Sequence, residues 1–389
     1  MNNNSNLSFA HIRSLRIQGY RPFREFTARL SPLEVIVGAN GSGKSSLFEF
    51  LKFLRDAVYQ EIPPEIVAGS IGQQLFHQPG PDKFGWLLDI ALTPQTVLAY
   101  QGELHGPVGR SRVAYEQVHV GTPDSVVLDI RERQGVVQEP DGQMRQDLSL
   151  RRPNQLALSV MTNPQLATLY ALREFIAGWR FYSAFTINDA KIRKSVPTEQ
   201  APVLNEDGGN LSAVLFYLMS EHPLVFDELK AHLRAAVPGF KNITVKARGG
   251  PGEVIAFWQE QGVDSELSLA DLSDGILRFL AWATLCLVPN TPTLICIDEP
   301  DQGVHPRTLP ILAGLFEKAS QRTQVLLATH ASYFLTQFAL DRIAVMKKQA
   351  GQSVYLKPAD SAALRANLED FGVEELEAMH RNDELEALV

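Results

Sequence analysis

Apolar and polar positions alternate along Ile12–Ile17 and Phe26–Leu30, as they do in half-buried strands, and Leu33–Val37 is a compact apolar strand that ends in a Gly-rich turn. From Lys44 to about Ala57 the spacing changes, so that Leu47, Phe48, Leu51 and Leu54 fall on one helical face. Gly69–Gly85 is rich in Gly, Gln and Pro and reads as loop. Partial period-two alternation then returns in Trp86–Leu92, Val97–Leu104, Arg112–Val120 and Val126–Ile130. Turn residues such as Gly106-Pro107 and Thr122-Pro123-Asp124 separate these runs, which predicts an antiparallel meander. Helices are expected over Pro164–Gly178, Asn210–Ser220 and Leu224–Val237, the last two joined by the turn Glu221-His222-Pro223. Ile243–Val245 and Glu253–Trp258 read as strands. The remainder runs helix (Leu272–Leu287), strand (Thr293–Ile297), helix (about Pro306–Ala319), strand (Gln324–Ala328), helix (Ser332–Phe338) and strand (Arg342–Met346). That alternation marks a parallel α/β sheet. There is no internal repeat, heptad array or low-complexity tract.

At 389 residues the chain can bury a large core. Apolar residues make up 45% and charged residues 21%, ordinary for a soluble globular protein. The 44 acidic against 36 basic residues leave a net charge of −8, which argues against a uniformly basic, nucleic-acid-coating surface while leaving room for a local basic groove. Cys286 and Cys296 sit in apolar runs with no CxxC pair, so they read as small buried hydrophobes in a reduced, cytoplasmic setting. The N-terminus Met-Asn-Asn-Asn-Ser-Asn is not a targeting segment, and no apolar stretch reaches the roughly 18 residues of a membrane span.

Gly38-Ala39-Asn40-Gly41-Ser42-Gly43-Lys44-Ser45 matches GxxxxGK[ST], directly after an apolar strand and at the opening of a helix. Glycines let the backbone bend so that several N–H groups point at a phosphate, and the helix N-terminus adds its positive dipole end. Lys44 would reach the β- and γ-phosphates of ATP and the Ser45 hydroxyl would hold Mg²⁺, with Gly38, Asn40, Gly41, Ser42, Gly43 and Ser46 completing the binding segment. A chance match in a chain this long is roughly a one-in-fifty event on average residue usage. Thr293–Ile297 is an apolar strand whose end carries Asp298 and Glu299, the Walker B arrangement. Two adjacent carboxylates allow a division of labour, Asp298 for the metal and Glu299 to orient or deprotonate the attacking water. The competing reading of an Asp-Glu pair is a helix cap or solvated turn.

With these elements the chain resembles an ABC-type ATPase of the RecF/SMC/OLD-like branch, close to the AAA family ATPases. The opening, with a strand, Gly19-Tyr20-Arg21-Pro22-Phe23, a second strand and the phosphate loop, is similar to the start of RecF and SMC heads. Leu272-Ser273-Asp274-Gly275-Ile276-Leu277-Arg278, about 25 residues before Asp298, occupies the position of the ABC signature. The resemblance implies that Ser273 and Gly275 bind the ATP of a second copy, giving a homodimer or higher oligomer joined head to tail through its ATP sites. The local alternative is a Ser/Asp N-cap on an amphipathic helix. Glu299–Pro306 resembles the D-loop region, in which His305 has a functional and a structural reading, and Thr329-His330 takes the H-switch position, implying that His330 contacts the γ-phosphate. Gln73, Gln74 and Gln78 lie in the Q-loop region without singling out one residue.

The implied fold is an α/β P-loop NTPase of the ABC-ATPase head type, with a mixed or parallel core sheet, an antiparallel meander and a helical lobe. The expected divisions are the N-terminal half of the ATPase core (1–68), an inserted meander plus helical lobe (69–265), the C-terminal half of the core (266–346) and a tail (347–389). Glu206-Asp207-Gly208-Gly209-Asn210-Leu211 also resembles the family, with Asn210 expected to cap the next helix. Lys191-Ile192-Arg193-Lys194 suits either a nucleic-acid backbone, a partner's acidic face or a solvated loop. Only about 40 residues follow Met346, too few for a Toprim nuclease domain, so an ATPase without its own nuclease is expected. The functional expectation is an ATPase that acts as sensor or switch for a separate effector such as a Toprim-like nuclease, in anti-phage defence. The alternative is a RecF-like DNA-binding ATPase of repair. A transporter subunit is disfavoured by the Ser-Asp-Gly signature and the large 69–266 insertion.

Overall fold

Alternation along the first strands is a consequence of where they lie. In the computed structural model, which describes residues 7–59, 62, 75–142, 144–184 and 189–360, the chain forms two compact units. One is built from Met1–Trp179 with the segment that begins at Leu340, the other from Arg180–Ala339.

In the first unit the strands His11–Tyr20 and Phe23–Arg29 join Lys83–Ala91, Val97–His105, Arg112–Val120, Val126–Arg131, Gln134–Gln138 and Arg145–Ser149 in one eight-stranded sheet. All seven pairings in it are antiparallel. The two strands expected near the N-terminus and the four of the meander therefore share a single sheet, and two more strands extend it. Those two are short and mixed, Gln134–Gln138 with two adjacent valines and Arg145–Ser149 with a single leucine, so their pattern carries no period-two signal. Leu33–Val37 differs: all five residues are buried, and it pairs in parallel with Ile343–Gln349, Val35 opposite Ile343. Ile343–Gln349 turns back through Ala350 and Gly351, both at positive φ, into Gln352–Leu356. A two-residue loop with this backbone is the tight hairpin turn that matches strand twist, in a stretch expected from the sequence only as tail.

The helix Lys44–Tyr59 buries Leu47, Phe48, Phe50, Leu51, Phe53 and Leu54. Phe50 and Phe53 meet Phe84 of the antiparallel sheet edge-on, with ring centroids 6.2 and 5.4 Å apart, and Tyr20 meets both Phe50 and Phe84 at 5.3 Å. Each such pair contributes about 0.5–1.5 kcal/mol beyond the area it buries. Farther along, the Tyr59 hydroxyl donates to Ala177 O at 2.7 Å, tying this helix to Ala167–Ala177.

In the second unit Leu294–Asp298 and Gln324–Ala328 run parallel, in the register Leu294–Gln324 through Asp298–Ala328, with the helix Leu309–Ala319 between them in the chain. Trp179–Ser183 flanks Leu294–Asp298. Its Trp-Arg-Phe-Tyr-Ser sequence, fused to the preceding helix, shows no turn between helix and strand and is missed by pattern reading. A second small sheet orders Val196–Pro197, Glu253–Glu260 and Phe240–Ala247, and Leu267–Ser268 pairs with Glu253–Glu260. The helix Leu211–Glu221 lies on this sheet, its Ser212 hydroxyl accepting from Ala256 N at 3.1 Å. Cys286 and Cys296 are both buried. Among the described residues no helix is long and apolar enough to cross a membrane.

One buried acid stands out in the antiparallel sheet. Glu116 has no exposed surface; it accepts from Tyr100 Oη at 3.0 Å, from Leu158 N at 3.2 Å and from Ala157 N. Burial pushes its pKa up to about 7, and the three donors offset only part of that shift. The folded protein therefore keeps a proton that the unfolded chain, with an ordinary glutamate pKa near 4.5, has released. Stability from this group is fully present below about pH 4.5 and is lost as pH rises to about 7, a change of about 3 kcal/mol. Denaturant unfolding from pH 4.5 to 7.5 should show this decline in the wild type, and Glu116→Gln should flatten it; an unchanged slope would refute the assignment.

Candidate nucleotide site

The strand Leu33–Val37 runs directly into Gly38, and the loop turns through a Ser42 N to Ala39 O bond of 3.1 Å before the helix begins at Lys44. Three glycines take positive φ: Gly38 at 153°, Gly41 at 79° and Gly43 at 107°. They do so for different reasons. A Cβ on Gly38 would stand 2.0 Å from Met346 O, and one on Gly43 would stand 2.7 Å from Ser353 Oγ and 3.2 Å from Phe23. Gly41 has open space around it, so only its backbone conformation demands glycine. The loop is thus pressed against the hairpin that follows Ile343, and its tip, Ala39-Asn40-Gly41, is exposed.

Lys44 is 5% exposed and folds back over its own loop, donating to Gly38 O at 2.5 Å and Ala39 O at 3.3 Å. Ser42 Oγ is buried with no hydrogen-bond partner, while Ser45 is exposed and Ser46 half-buried on the first helical turn. A cation, an orphaned hydroxyl and the N–H groups of a helix start gathered around a glycine-shaped hollow fit an anionic phosphate. The residues present therefore suit the group that the sequence implies.

In the second unit the parallel register sets Asp298 opposite Ala328, so Glu299 and Thr329-His330 emerge side by side at the carboxyl ends of two strands. Open α/β sheets bind ligands at such ends. Glu299 sits at φ +54°, a left-handed conformation that costs a non-glycine residue about 1 kcal/mol or more. Its N–H donates to Ala328 O at 2.8 Å, its carbonyl accepts from Gln302 N at 3.1 Å, and its carboxylate faces His330, Oε1 to Nε2 3.3 Å and Oε2 to the His330 N–H 3.4 Å. Beside them Thr329 Oγ1 donates to Asp301 Oδ1 at 2.6 Å, and the Trp282 indole donates to Pro300 O at 3.1 Å. Asp298 and Glu299 are half-buried. No group of three or more His, Cys, Asp or Glu side chains gathers among the described residues.

The segment 267–275 is held from two sides. Ser268 and Asp271 form a reciprocal cap, and bonds from the Ser268 hydroxyl and N–H hold the Asp271 carboxyl below the usual range. Ser273 is the N-cap of the helix Asp274–Leu287, its Oγ accepting from Ile276 N at 3.5 Å, so the capping reading of this residue holds. A Cβ on Gly275 would lie 2.5 Å from Gly303 O, and Arg278 donates to Gln302 O at 3.1 Å, which locks the start of this helix onto the loop that follows Glu299.

Two family models match the chain: residues 158–336 match "AAA domain, putative AbiEii toxin, Type IV TA system", and residues 11–77 match "AAA ATPase domain". Among solved structures the fold is similar to an SMC head bound to the C-winged-helix domain of ScpA, with 13% identity and a TM-score of 0.57 over 89% of this chain and 97% of that one. It is also similar to the Smc head domain with an extended coiled coil, bound to the C-terminal domain of ScpA derived from Pyrococcus furiosus, with 12% identity and a TM-score of 0.54 over 93% and 100%. The chain thus matches AAA-type ATPase models over two separate stretches, on a fold similar to that of SMC heads. No curated protein matches in sequence. The matched stretches contain every site residue proposed from the sequence: the phosphate loop lies in 11–77, and Ser273, Gly275, Asp298, Glu299 and His330 lie in 158–336.

Several readings of the sequence change with the structure. Asn210 stands at the start of its helix but does not cap it. Its side chain instead accepts from Asn205 N at 2.8 Å and donates to Val203 O at 2.9 Å, bracing the preceding loop. The basic cluster divides: Lys191 and Lys194 are exposed, Lys191 donating to Asp207 Oδ2 at 2.7 Å, while the half-buried Arg193 grips the segment before Ser273. His305 accepts from Arg307 N at 3.2 Å and so caps a 3₁₀ turn. Gln78 is exposed, and Gln73 and Gln74 lie outside the described residues. Asp301, Thr329 and Arg193 are the residues that sequence reasoning did not place in the site. Their only signal is adjacency to a motif, because each acts through a partner distant in the chain.

The glycine geometry gives a graded test. Gly38→Ala should cost about 2 kcal/mol or more, because a backbone carbonyl cannot step aside, whereas Gly41→Ala should cost about 1 kcal/mol for conformation alone. Equal losses in denaturant unfolding would show that the contact with Met346 is not limiting.

Proposed function

We propose that the chain binds ATP with Mg²⁺ on the Gly38–Ser45 loop and hydrolyses it in a head-to-tail homodimer, each copy's Ser273 and Gly275 closing the other's site. The nucleotide cycle would then switch a separate effector, such as a Toprim-like nuclease, in defence against phage. The observation that carries this reading is the Glu299–His330 pair, held at 3.3 Å at the ends of two parallel strands with Glu299 in a strained backbone conformation. Strain kept in a residue that a resting fold would relax supports a role beyond packing.

In this reading Lys44 leaves its own carbonyls to bind the β- and γ-phosphates, and the N–H groups around Gly41 and Gly43 hold the phosphate chain. Bound Mg²⁺ offsets phosphate charge, with Ser45 and Asp298 as its protein ligands. Glu299 accepts the proton of the attacking water or orients it, and His330 fixes Glu299 before nucleotide binds and turns to the γ-phosphate afterwards. Support for the defence context comes from the match to a model described by a putative AbiEii toxin. Support for a protein partner comes from the fold, since the two similar SMC heads are bound to parts of ScpA.

A second reading, a RecF-like DNA-binding ATPase, draws on Arg110, Arg112, Arg131, Arg133 and Arg151. All five are exposed and fall at one end of the antiparallel sheet, where Glu132 N bonds to Ala114 O and Leu150 N to Arg133 O. It requires ATP-dependent DNA affinity that falls steeply with salt. Absence of DNA binding at low salt removes it.

For the first reading, Glu299→Gln should lower ATP turnover by about 10²–10⁴-fold while the protein retains ATP and remains dimeric in size-exclusion and light-scattering measurements. A nucleotide-free monomer would refute the proposal.

A further inference from the structure

Arg193 lies far from the phosphate loop in sequence and belongs to no recognised motif, yet its guanidinium is spent entirely on the segment that leads into Ser273. Nη1 donates to three carbonyls, Leu269 O at 3.1 Å, Ala270 O at 2.6 Å and Leu272 O at 2.9 Å, and Nη2 meets Asp274 Oδ1 at 2.8 Å. The two residues that flank Ser273 are therefore both tied to one planar group. Three carbonyls converging on a point would repel one another without a cation, so the arginine sets the curvature of this turn rather than decorating it.

Two residues before Arg193 the chain is anchored as well. Lys191 is paired with Asp207, whose other oxygen accepts from Gly209 N at 2.9 Å, and Glu206 accepts from Phe181 N at 2.9 Å on the strand beside Leu294–Asp298. On the far side of the turn Gly275 rests on Gly303 O without room for a Cβ. The Glu206–Asn210 motif, the basic cluster and the 267–275 segment thus form one continuous polar support inside the second unit, and this gives the motif a physical role.

We infer that Arg193 is the positioning residue of the Ser273–Gly275 element: it presets the angle at which the Ser273 hydroxyl and the Gly275 N–H are offered to the nucleotide of a second copy. The inference rests on the head-to-tail reading above. Misplacement of a binding group by about 1 Å from a remote change costs on the order of 10²-fold in rate, and a lysine, with one ammonium in place of a planar fork, would recover only part of it.

The test is ATP turnover by the full chain. Arg193→Ala should lower kcat by about 10–100-fold with ATP binding to the isolated loop unchanged, and Arg193→Lys should fall between it and the wild type. Mixing Arg193→Ala with Lys44→Ala copies should restore turnover, because a mixed pair contains one intact loop facing one intact Ser273 element. Should Arg193→Ala fail to fold, Asp274→Ala, which removes one exposed acceptor of the guanidinium, must show the same loss in smaller degree and the same rescue; wild-type turnover in both Arg193→Lys and Asp274→Ala then overturns the inference. Wild-type turnover in Arg193→Ala also overturns it. So does a mixture that stays inactive while Ser273→Ala mixed with Lys44→Ala recovers. If neither mixture recovers, the head-to-tail reading itself fails.

Discussion

A parallel strand covered on both faces has no place for a polar side chain until its carboxyl end, and that constraint shapes this protein. Leu33–Val37 is buried along its whole length and releases the chain at Gly38; Leu294–Ile297 is buried and releases Asp298 and Glu299; Gln324–Ala328 is buried and is followed by Thr329 and His330. The chemistry is therefore concentrated where the hydrophobic effect stops dictating residue type. The exception confirms the cost. Glu34, near the other end of its strand, has no exposed surface and is held by Lys357 at 2.9 Å and by Ser31 N at 2.8 Å, with burial still raising its pKa.

Close backbone approach is the second organising feature, and it explains glycines that a motif merely records. Gly38 and Gly43 are shaped by the neighbouring hairpin, and Gly275 by the Gly303 carbonyl. Loops seated this tightly move as parts of larger elements, because packed interfaces change between discrete arrangements rather than deforming continuously. The Ser273 turn, clasped by Arg193 on one side and by the loop after Glu299 on the other, is coupled by contact to the Glu299–His330 pair. A change at the carboxylate would thus be transmitted to the surface proposed to meet a second copy.

What the chain itself made legible was local. Strand-to-glycine-to-helix at 33–59, an apolar strand ending in two acids, and the α/β alternation after Leu272 each rest on short-range periodicity, and the structure places elements there within a few residues. The union of the N-terminal strands with the meander in one eight-stranded sheet was not legible, since it depends on distant partners, and the strands Gln134–Gln138, Arg145–Ser149 and Gln352–Leu356 were not, since their mixed residues carry no apolar alternation. The same holds for side chains. Asn210 has the type of a helix cap but is drawn to Asn205 and Val203, and Arg193 has the look of a solvated charge but is consumed by four acceptors.

The sequence alone determined which residue types are available for phosphate and metal chemistry, because glycine conformational freedom, a lysine and a pair of carboxylates are properties of the residues and their spacing. Only the tertiary structure decided how they are aimed. The register of Asp298 against Ala328 brings Glu299 to His330, the Met346 carbonyl dictates Gly38, and Arg193 shapes the turn at Ser273. Each of these joins residues more than 30 positions apart. Orientation of that kind depends on contacts made by folding, which no local pattern records.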